Sequence, residues 1–117
     1  MRPILPKLRS QLDALPRMHK CELAPMQRLY GRCSGRIQWH HVWIYAGRQI
    51  NELWAIVGAC EGHHEEVKKD AAIRQYFESA SLSYATDADL AEYPKKDWLG
   101  IKRMLGLIRK KHGTQGT

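Results

Sequence analysis

The middle of the chain contains two mainly apolar segments separated by a predicted turn or loop at residues 46–48, and residue types more than periodicity predict their structure. Residues 37–45 (IQWHHVWIY) are aromatic and β-branched, a composition that favours a strand. Residues 51–60 contain the apolar run AIVGAC, whose periodicity alone fits a strand or a helix. Because Ile56 and Val57 are β-branched and Gly58 follows them, a short strand is favoured. The two segments together predict a β-hairpin.

The C-terminal half of the chain carries the spacing of amphipathic helices. Residues 63–80 combine good helix formers with apolar residues at helical spacing, so one helix is predicted there. Thr86 and Asp89 form the pattern of an N-cap with an acidic third residue, and Pro94 should end the short helix that follows. A final helix with one apolar face is predicted over residues 98–111. Its other faces carry the basic residues Lys102, Arg103, Arg109, Lys110 and Lys111.

Strands followed by helices predict an α+β protein, and 117 residues suit one domain. Residues 1–18 are rich in proline, so we expect an N-terminal arm that is extended apart from a short amphipathic piece. Residues 19–117 then form the single domain. Its core is expected over about 19–80, and its C-terminal helices over about 86–111.

The net charge of the chain indicates which classes of partner to expect. It has 19 lysines and arginines against 12 acidic residues, a formal net charge of +7. Such a balance favours polyanions, most often nucleic acid and less often a membrane surface. No run of about 18 apolar residues could span a membrane, and the N-terminus lacks the apolar region of a secretory signal. We therefore expect a cytoplasmic protein.

The three cysteines of the chain could serve several chemical roles. Their odd number argues against a pure disulfide framework, so metal ligation, a reactive thiol or plain buried thiols remain. Together with one histidine they form the pattern C-x11-C … C-x2-H, made by Cys21, Cys33, Cys60 and His63. Zinc accepts a Cys3His set, and glycines on both sides of Cys33 permit a tight turn. The pattern predicts a structural zinc site.

Two histidine doublets lie at the ends of the predicted hairpin, WHH at residues 39–41 and GHH at residues 62–64, with AIVGAC at residues 55–60 between them. A histidine on a strand, a hairpin and a histidine at the start of a helix is the order of the ββα-metal nucleases. Over residues 21–75 the chain resembles the HNH (His-Me finger) endonuclease family, in particular its small phage and prophage members. CEGHH is similar to half of the family's zinc pattern, with His63 in place of a cysteine.

The resemblance implies a small zinc-stabilised ββα-metal core, a β-hairpin plus a helix, with additional C-terminal helices. It also implies a metal-dependent endonuclease that hydrolyses DNA phosphodiester bonds. In that reading His41 is the general base that activates water, and His64 holds a divalent ion together with Asn51, His40 or both. Histidine suits the role of base because its ordinary pKa of about 6.5 lies near neutral pH.

Two positions depart from the family pattern. The central asparagine of the family falls at Ala55 here, so Asn51 can fill that role only through the register of a loop. The first residue of the histidine pair is often acidic in the family, which suits Mg²⁺, whereas His40 suits Mn²⁺, Ni²⁺ or Zn²⁺. The expected cofactors are structural Zn²⁺ and, for catalysis, Mg²⁺, Mn²⁺ or another divalent transition metal ion.

The implied partner is DNA, with branched or otherwise structured DNA among the candidates, and a homodimer would suit cleavage of both strands. Two alternatives stay open. One is a catalytically inactive, zinc-containing nucleic-acid-binding module, and the other is a phage protein that binds and inhibits a host protein. Contacts to phosphate groups are expected from the basic residues Arg32, Arg36, Arg48, Lys68 and Lys69.

Overall fold

The computed structural model describes residues 4–112, with side chains for residues 4–106, and it confirms a mixed helix and strand architecture. The basic residues Arg109, Lys110 and Lys111 lie outside the described side chains. The helices are α1 (Pro6–Asp13), α2 (Gln27–Tyr30), α3 (Glu61–Glu66), α4 (Ala71–Ser83), α5 (Asp87–Ala91) and α6 (Trp98–His112). The strands are β1 (Ile37–His41), β2 (Ile44–Tyr45), β3 (Arg48–Gln49) and β4 (Ile56–Cys60). Short 3₁₀ turns cover Pro16–His19, Ala24–Met26 and Leu53–Ala55.

The central sheet consists of β1 and β4, which pair antiparallel. Ile37 lies opposite Cys60, and His41 lies opposite Ile56. The predicted single strand over residues 37–45 is wrong in its length, because β1 ends at His41. A second small hairpin, β2 with β3, fills the connection between β1 and β4. The connection between β1 and β4 is therefore a longer segment that contains its own small hairpin, and not a tight turn.

The helix predicted over residues 63–80 is two helices. Helix α3 begins directly after β4 and ends at Glu66, and α4 begins at Ala71. Asp70 separates them, since its carboxylate accepts hydrogen bonds from the backbone amides of Ala72, at 2.9 Å, and Ile73, at 3.4 Å. An aspartate that caps a helix in this way starts a new helix at that residue.

The two C-terminal helices agree with their predictions. Thr86 and Asp89 form a reciprocal capping box at the start of α5. Helix α6 packs against α4, and Trp98 and Leu105 on its inner face are buried. Within the part of the chain that the structure describes, no helix has both the length and the apolar character needed to cross a bilayer.

The N-terminal segment is folded onto the core, which differs from the extended arm that its prolines suggested. Pro6 occupies the first turn of α1, where its missing amide hydrogen costs nothing. Leu12 and Met18 are fully buried and pack with Ile56 of β4. Apolar residues at helical spacing outweighed Pro6 and Pro16 here, because these two prolines lie at helix starts.

Close backbone packing joins this segment to the sheet at Gly58 of β4. A Cβ atom at Gly58 would collide with the carbonyl oxygen of Lys20 and approach that of Arg17 to 3.0 Å. The guanidinium of Arg17 donates to the carbonyl of Ile56 at 2.8 Å and to that of Leu53 at 2.7 Å. These contacts fix β4, and with it the start of α3, against the N-terminal segment.

Candidate metal centre and histidine site

The four predicted zinc ligands come from separate parts of the fold and meet at one point. Cys21 follows the first 3₁₀ turn, Cys33 lies in the loop between α2 and β1, Cys60 ends β4 and His63 lies in the first turn of α3. Their ligand atoms all lie within 4.8 Å of one another. The four residues could therefore bind a metal such as zinc, as the sequence pattern predicted.

The distances in this Cys3His cluster match a tetrahedral zinc site. The Nδ1 atom of His63 lies 3.6 Å from the sulfur of Cys21, 3.7 Å from that of Cys33 and 3.2 Å from that of Cys60. Zinc–sulfur and zinc–nitrogen bonds of ordinary length at tetrahedral angles separate S and N by about 3.6 Å. The donor set and these sulfur–nitrogen distances are compatible with Zn²⁺.

The backbone around α2 orients the imidazole of His63. Its Nε2 atom lies 3.1 Å from the carbonyl oxygen of Tyr30 and 3.0 Å from that of Gly31. Carbonyl oxygens only accept hydrogen bonds, so Nε2 carries the proton and Nδ1 presents its lone pair to the sulfurs. Gly31 turns the chain with a φ of 92° before the loop that carries Cys33.

The thiols of the cluster differ in their acidity. Burial raises the pKa of Cys60, but hydrogen bonds from the amides of His63 and Ser34 lower it more, and the resulting pKa is about 7. Burial and the neighbouring Cys21 thiol raise the pKa of Cys33 to about 12. Burial likewise raises the pKa of Cys21. A bound cation would offset the electrostatic repulsion among the three sulfurs, and it would favour their deprotonated thiolate forms.

A second site begins at the end of β1, where His41 is hydrogen-bonded to Asn51. The Nε2 atom of His41 lies 2.6 Å from Oδ1 of Asn51. The β2–β3 hairpin makes this contact, since the amide of Ile50 donates to the carbonyl of Trp43 at 3.0 Å. Asn51 therefore reaches His41 from the loop, although the family's asparagine position is occupied by Ala55.

The other two histidines of the doublets face each other on the opposite side of β1. The rings of His40 and His64 meet edge to face with their centroids 5.1 Å apart, and Phe77 of α4 lies 5.6 Å from His40. Burial, together with the nearby imidazoles of His64 and His41, lowers the pKa of His40 to about 4. His40 is therefore neutral at neutral pH, and a ring nitrogen keeps a lone pair.

The five basic residues predicted to contact phosphate are all exposed, but they lie on three segments. Arg32 and Arg36 flank the Cys33 loop, and Lys68 and Lys69 lie between α3 and α4. Arg48 lies on β3. Their role as phosphate contacts stays a prediction.

Sequence reasoning missed several groups that shape these sites. The carbonyls that orient His63 belong to the backbone and leave no side-chain signature, although the glycines beside Cys33 hinted at a special loop. Trp54, which borders a groove beside Asn51, looked like an ordinary core residue, and nothing in the sequence marked Gln49, which borders the same groove.

Comparison of the chain with protein-family models, with curated proteins and with solved structures gives no match.

Proposed function

We propose that this protein is a metal-dependent endonuclease of the HNH, ββα-metal type that hydrolyses phosphodiester bonds in DNA. The observation that carries the proposal is the hydrogen bond between His41 and Asn51, and the facing rings of His40 and His64 lie across β1 from it. His40 and His41 end β1, Asn51 lies in the loop before β4, and His64 lies in α3, directly after the Cys60 and His63 ligands of the Cys3His cluster. The order and pairing of these residues fit the division of labour that the resemblance implies.

The hydrogen bond to Asn51 suits His41 to the role of general base. Because Oδ1 of Asn51 accepts, Nε2 of His41 carries the proton and Nδ1 keeps its lone pair. An oriented imidazole with a free nitrogen can take a proton from a water molecule as that water attacks phosphorus. In this proposal Asn51 positions the base and does not touch the reacting phosphate.

His40 and His64 are suited to hold the divalent ion. Two imidazoles that share one ion at ordinary bond lengths have ring centroids about 5 Å apart, which agrees with the observed 5.1 Å. A divalent ion bound there would neutralise charge on the phosphate oxygens and the leaving oxygen. Two imidazole ligands favour Mn²⁺ or another transition metal over Mg²⁺.

The charge of the chain supports a nucleic-acid substrate. A net charge of +7 attracts a polyanion, and Arg32, Arg36, Lys68 and Lys69 are exposed on the segments that flank the Cys3His cluster. Contacts of this kind position a DNA backbone without reading its sequence. We therefore expect binding that weakens steeply as salt increases.

A cleavage assay with controlled metal content tests the proposal. Zinc-loaded protein is mixed with supercoiled plasmid, linear duplex, branched DNA or single strands, first without added ion and then with Mn²⁺ or Mg²⁺. We expect strand cleavage only after the second ion is added. His64→Ala should need a much higher Mn²⁺ concentration, whereas His19→Ala, which alters an exposed histidine outside the site, should behave as wild type. A wild-type protein that cleaves none of these substrates with any divalent ion would refute the proposal.

A second candidate is a zinc-containing nucleic-acid-binding module that does not cleave. It is favoured by one observation: among the described residues, the Cys3His cluster is the sole group of three or more His, Cys, Asp or Glu side chains positioned to share an ion. The catalytic ion that a nuclease needs would have only His40 and His64 as protein ligands of these residue types in the described part of the chain. This candidate predicts salt-sensitive DNA binding that is unchanged in His41→Ala and no cleavage under any metal condition.

A further inference from the structure

An open groove of about 1130 Å³ lies beside the His41–Asn51 pair. Helix α1 borders it on one side, and the β2–β3 hairpin with the following loop borders it on the other. Asn51 is part of its wall, so the residue that holds the proposed base also faces this groove. A ligand in the groove would therefore lie against the residue that orients the proposed base.

Two residues of the groove wall carry buried polar atoms that lack partners. The indole Nε1 of Trp54 is a donor, the Oε1 of Gln49 is an acceptor, and neither finds a hydrogen-bond partner among the residues that the structure describes. Trp54 is 3% exposed. Unpaired buried polar atoms are uncommon in folded proteins and call for an explanation such as a ligand. Because both atoms are buried, a ligand edge with one acceptor and one donor would pair with them after the two side chains turn towards the groove.

The charges of the groove favour a neutral ligand group over a phosphate. Two cations, Lys7 and Arg48, are balanced there by two carboxylates, Glu52 and Asp89. An anion inside the groove would meet those carboxylates as well as the acceptor oxygen of Gln49. The exposed cations can still contact a phosphate backbone that passes along the rim.

The remaining wall offers flat and apolar surface. The rings of Tyr45 and Tyr93 line the groove and meet edge to face with their centroids 5.0 Å apart. Leu5 lies at the rim with 69% of its surface exposed, and Leu53 lies deeper. Aromatic and apolar surface with a few polar atoms is the combination that binds a nucleobase by stacking and by its edge.

We propose that this groove binds an unpaired nucleobase of the DNA strand next to the bond that is cleaved. This inference rests on the proposed nuclease function. A base in a duplex already uses its edge for pairing, so the groove selects DNA with an unpaired nucleotide near the cut, such as a bulge, a flap or a single strand. Asn51 couples the two sites, because it contacts His41 and lines the groove.

Binding measured without a catalytic ion tests the groove separately from the chemistry. Zinc-loaded protein is titrated, at one fixed salt concentration, with two labelled DNA hairpins that differ by a single unpaired nucleotide. We expect the wild type to bind the hairpin with the unpaired nucleotide about tenfold more tightly. Gln49→Leu, which removes the acceptor, and Leu5→Trp, which fills the rim, should each reduce that preference to about twofold or less. Gln38→Leu, an equivalent change at an exposed position of β1 outside the groove, should keep it.

The outcomes distinguish the groove from the nuclease. Equal binding of both hairpins by the wild type, or a preference that survives both groove variants, overturns the groove proposal whether or not the protein cleaves DNA. A preference that is lost in both groove variants and kept in Gln38→Leu supports it, even if cleavage is absent. Circular dichroism melting of each variant shows that it is folded before its binding is compared.

Discussion

Nε2 of His41 donates a hydrogen bond to Oδ1 of Asn51 over 2.6 Å and so ties the end of β1 to the loop before β4. The amide of Val42 also donates to the carbonyl of Ala55 at 3.0 Å, which extends the pairing of the two strands past His41. The histidine is thus fixed by backbone on one side and by an amide oxygen on the other. Substitutions of Asn51 should therefore act through the orientation of His41.

Asn51→Ala should lower the rate of DNA cleavage by about 10²-fold, since it frees the imidazole of His41 to rotate. Asn51→Asp keeps an acceptor at the same place and should retain more activity. Its carboxylate favours the charged imidazole, so the pH–rate profile should move to higher pH. Single-turnover cleavage measured across pH for both variants checks this. Equal rates in both variants with unshifted profiles would contradict a positioning role.

The Cys3His cluster should hold one equivalent of zinc that stabilises the fold. His63→Ala removes the ligand whose Nδ1 faces the three sulfurs, and it should lower the unfolding free energy by at least about 2 kcal/mol, or about 10 °C in Tm. His19→Ala, at an exposed histidine, is the matched control. Elemental analysis and thermal melts of both proteins test the prediction. Full zinc content and an unchanged melt in His63→Ala would contradict it.

Zinc affinity should rise with pH. Burial raises the pKa of Cys33 to about 12 and that of Cys21 above its ordinary value, so both thiols are protonated near neutral pH without metal. Zinc must displace both protons, and below pH 7 that of Cys60 as well, so the apparent affinity should increase at least about a hundredfold per pH unit. Competition with a chromophoric chelator between mildly acidic and mildly basic pH measures the slope. A flat profile would show that these thiols are not ligands.

The low pKa of His40 should make the fold less stable in acid. Its pKa is about 4 in the folded protein and about 6.5 in an unfolded chain, so the unfolded state binds the extra proton between these values. The stability contributed by neutral His40 is present above pH 6.5 and is lost as pH falls towards 4, by about 3 kcal/mol in total. Urea unfolding of wild type and His40→Asn over this range measures the loss. The unfolding free energy of His40→Asn should fall less between pH 6.5 and 4 than that of wild type. An identical fall in both proteins would contradict the role assigned to His40.

Gly58 should tolerate no side chain. A methyl group there would collide with the carbonyl oxygen of Lys20, so Gly58→Ala should destabilise the protein by about 1–3 kcal/mol. Gly106→Ala is a matched control, because the corresponding Cβ meets nothing within 4 Å and Gly106 lies on an exposed turn of α6. That variant should be neutral or more stable by up to about 1 kcal/mol. Denaturant unfolding gives the unfolding free energy of each variant. Equal unfolding free energies for Gly58→Ala and Gly106→Ala would refute the packing argument.

The sequence predicted the groups whose chemistry is visible in their residue types. Cysteine and histidine are residue types that bind zinc, and on that ground the sequence predicted that Cys21, Cys33, Cys60 and His63 lie close together. The capping box of Thr86 likewise acts locally, so its pattern was sufficient to predict a helix start.

Features that depend on tertiary contacts were harder to predict. Asp70 interrupts a continuous helical pattern because its carboxylate caps a new helix, and the pattern of apolar residues is the same with or without that break. The folding of residues 4–18 onto β4 depends on the fit of Leu12 and Met18 against Ile56, which prolines in the same segment concealed. The reach of Asn51 to His41 depends on the β2–β3 hairpin, whose two-residue strands leave almost no periodicity to detect.

The central claim is that His41 is the base of a DNA-cleaving site, and one comparison tests it most directly. Zinc-loaded wild type, His41→Ala and His19→Ala are incubated with supercoiled plasmid in the presence of Mn²⁺, and the rate of nicking is measured. We expect His41→Ala to nick at least about 10²-fold more slowly than the other two proteins while it keeps its zinc and its melting temperature. Nicking by folded, zinc-loaded His41→Ala at the wild-type rate would contradict the assignment.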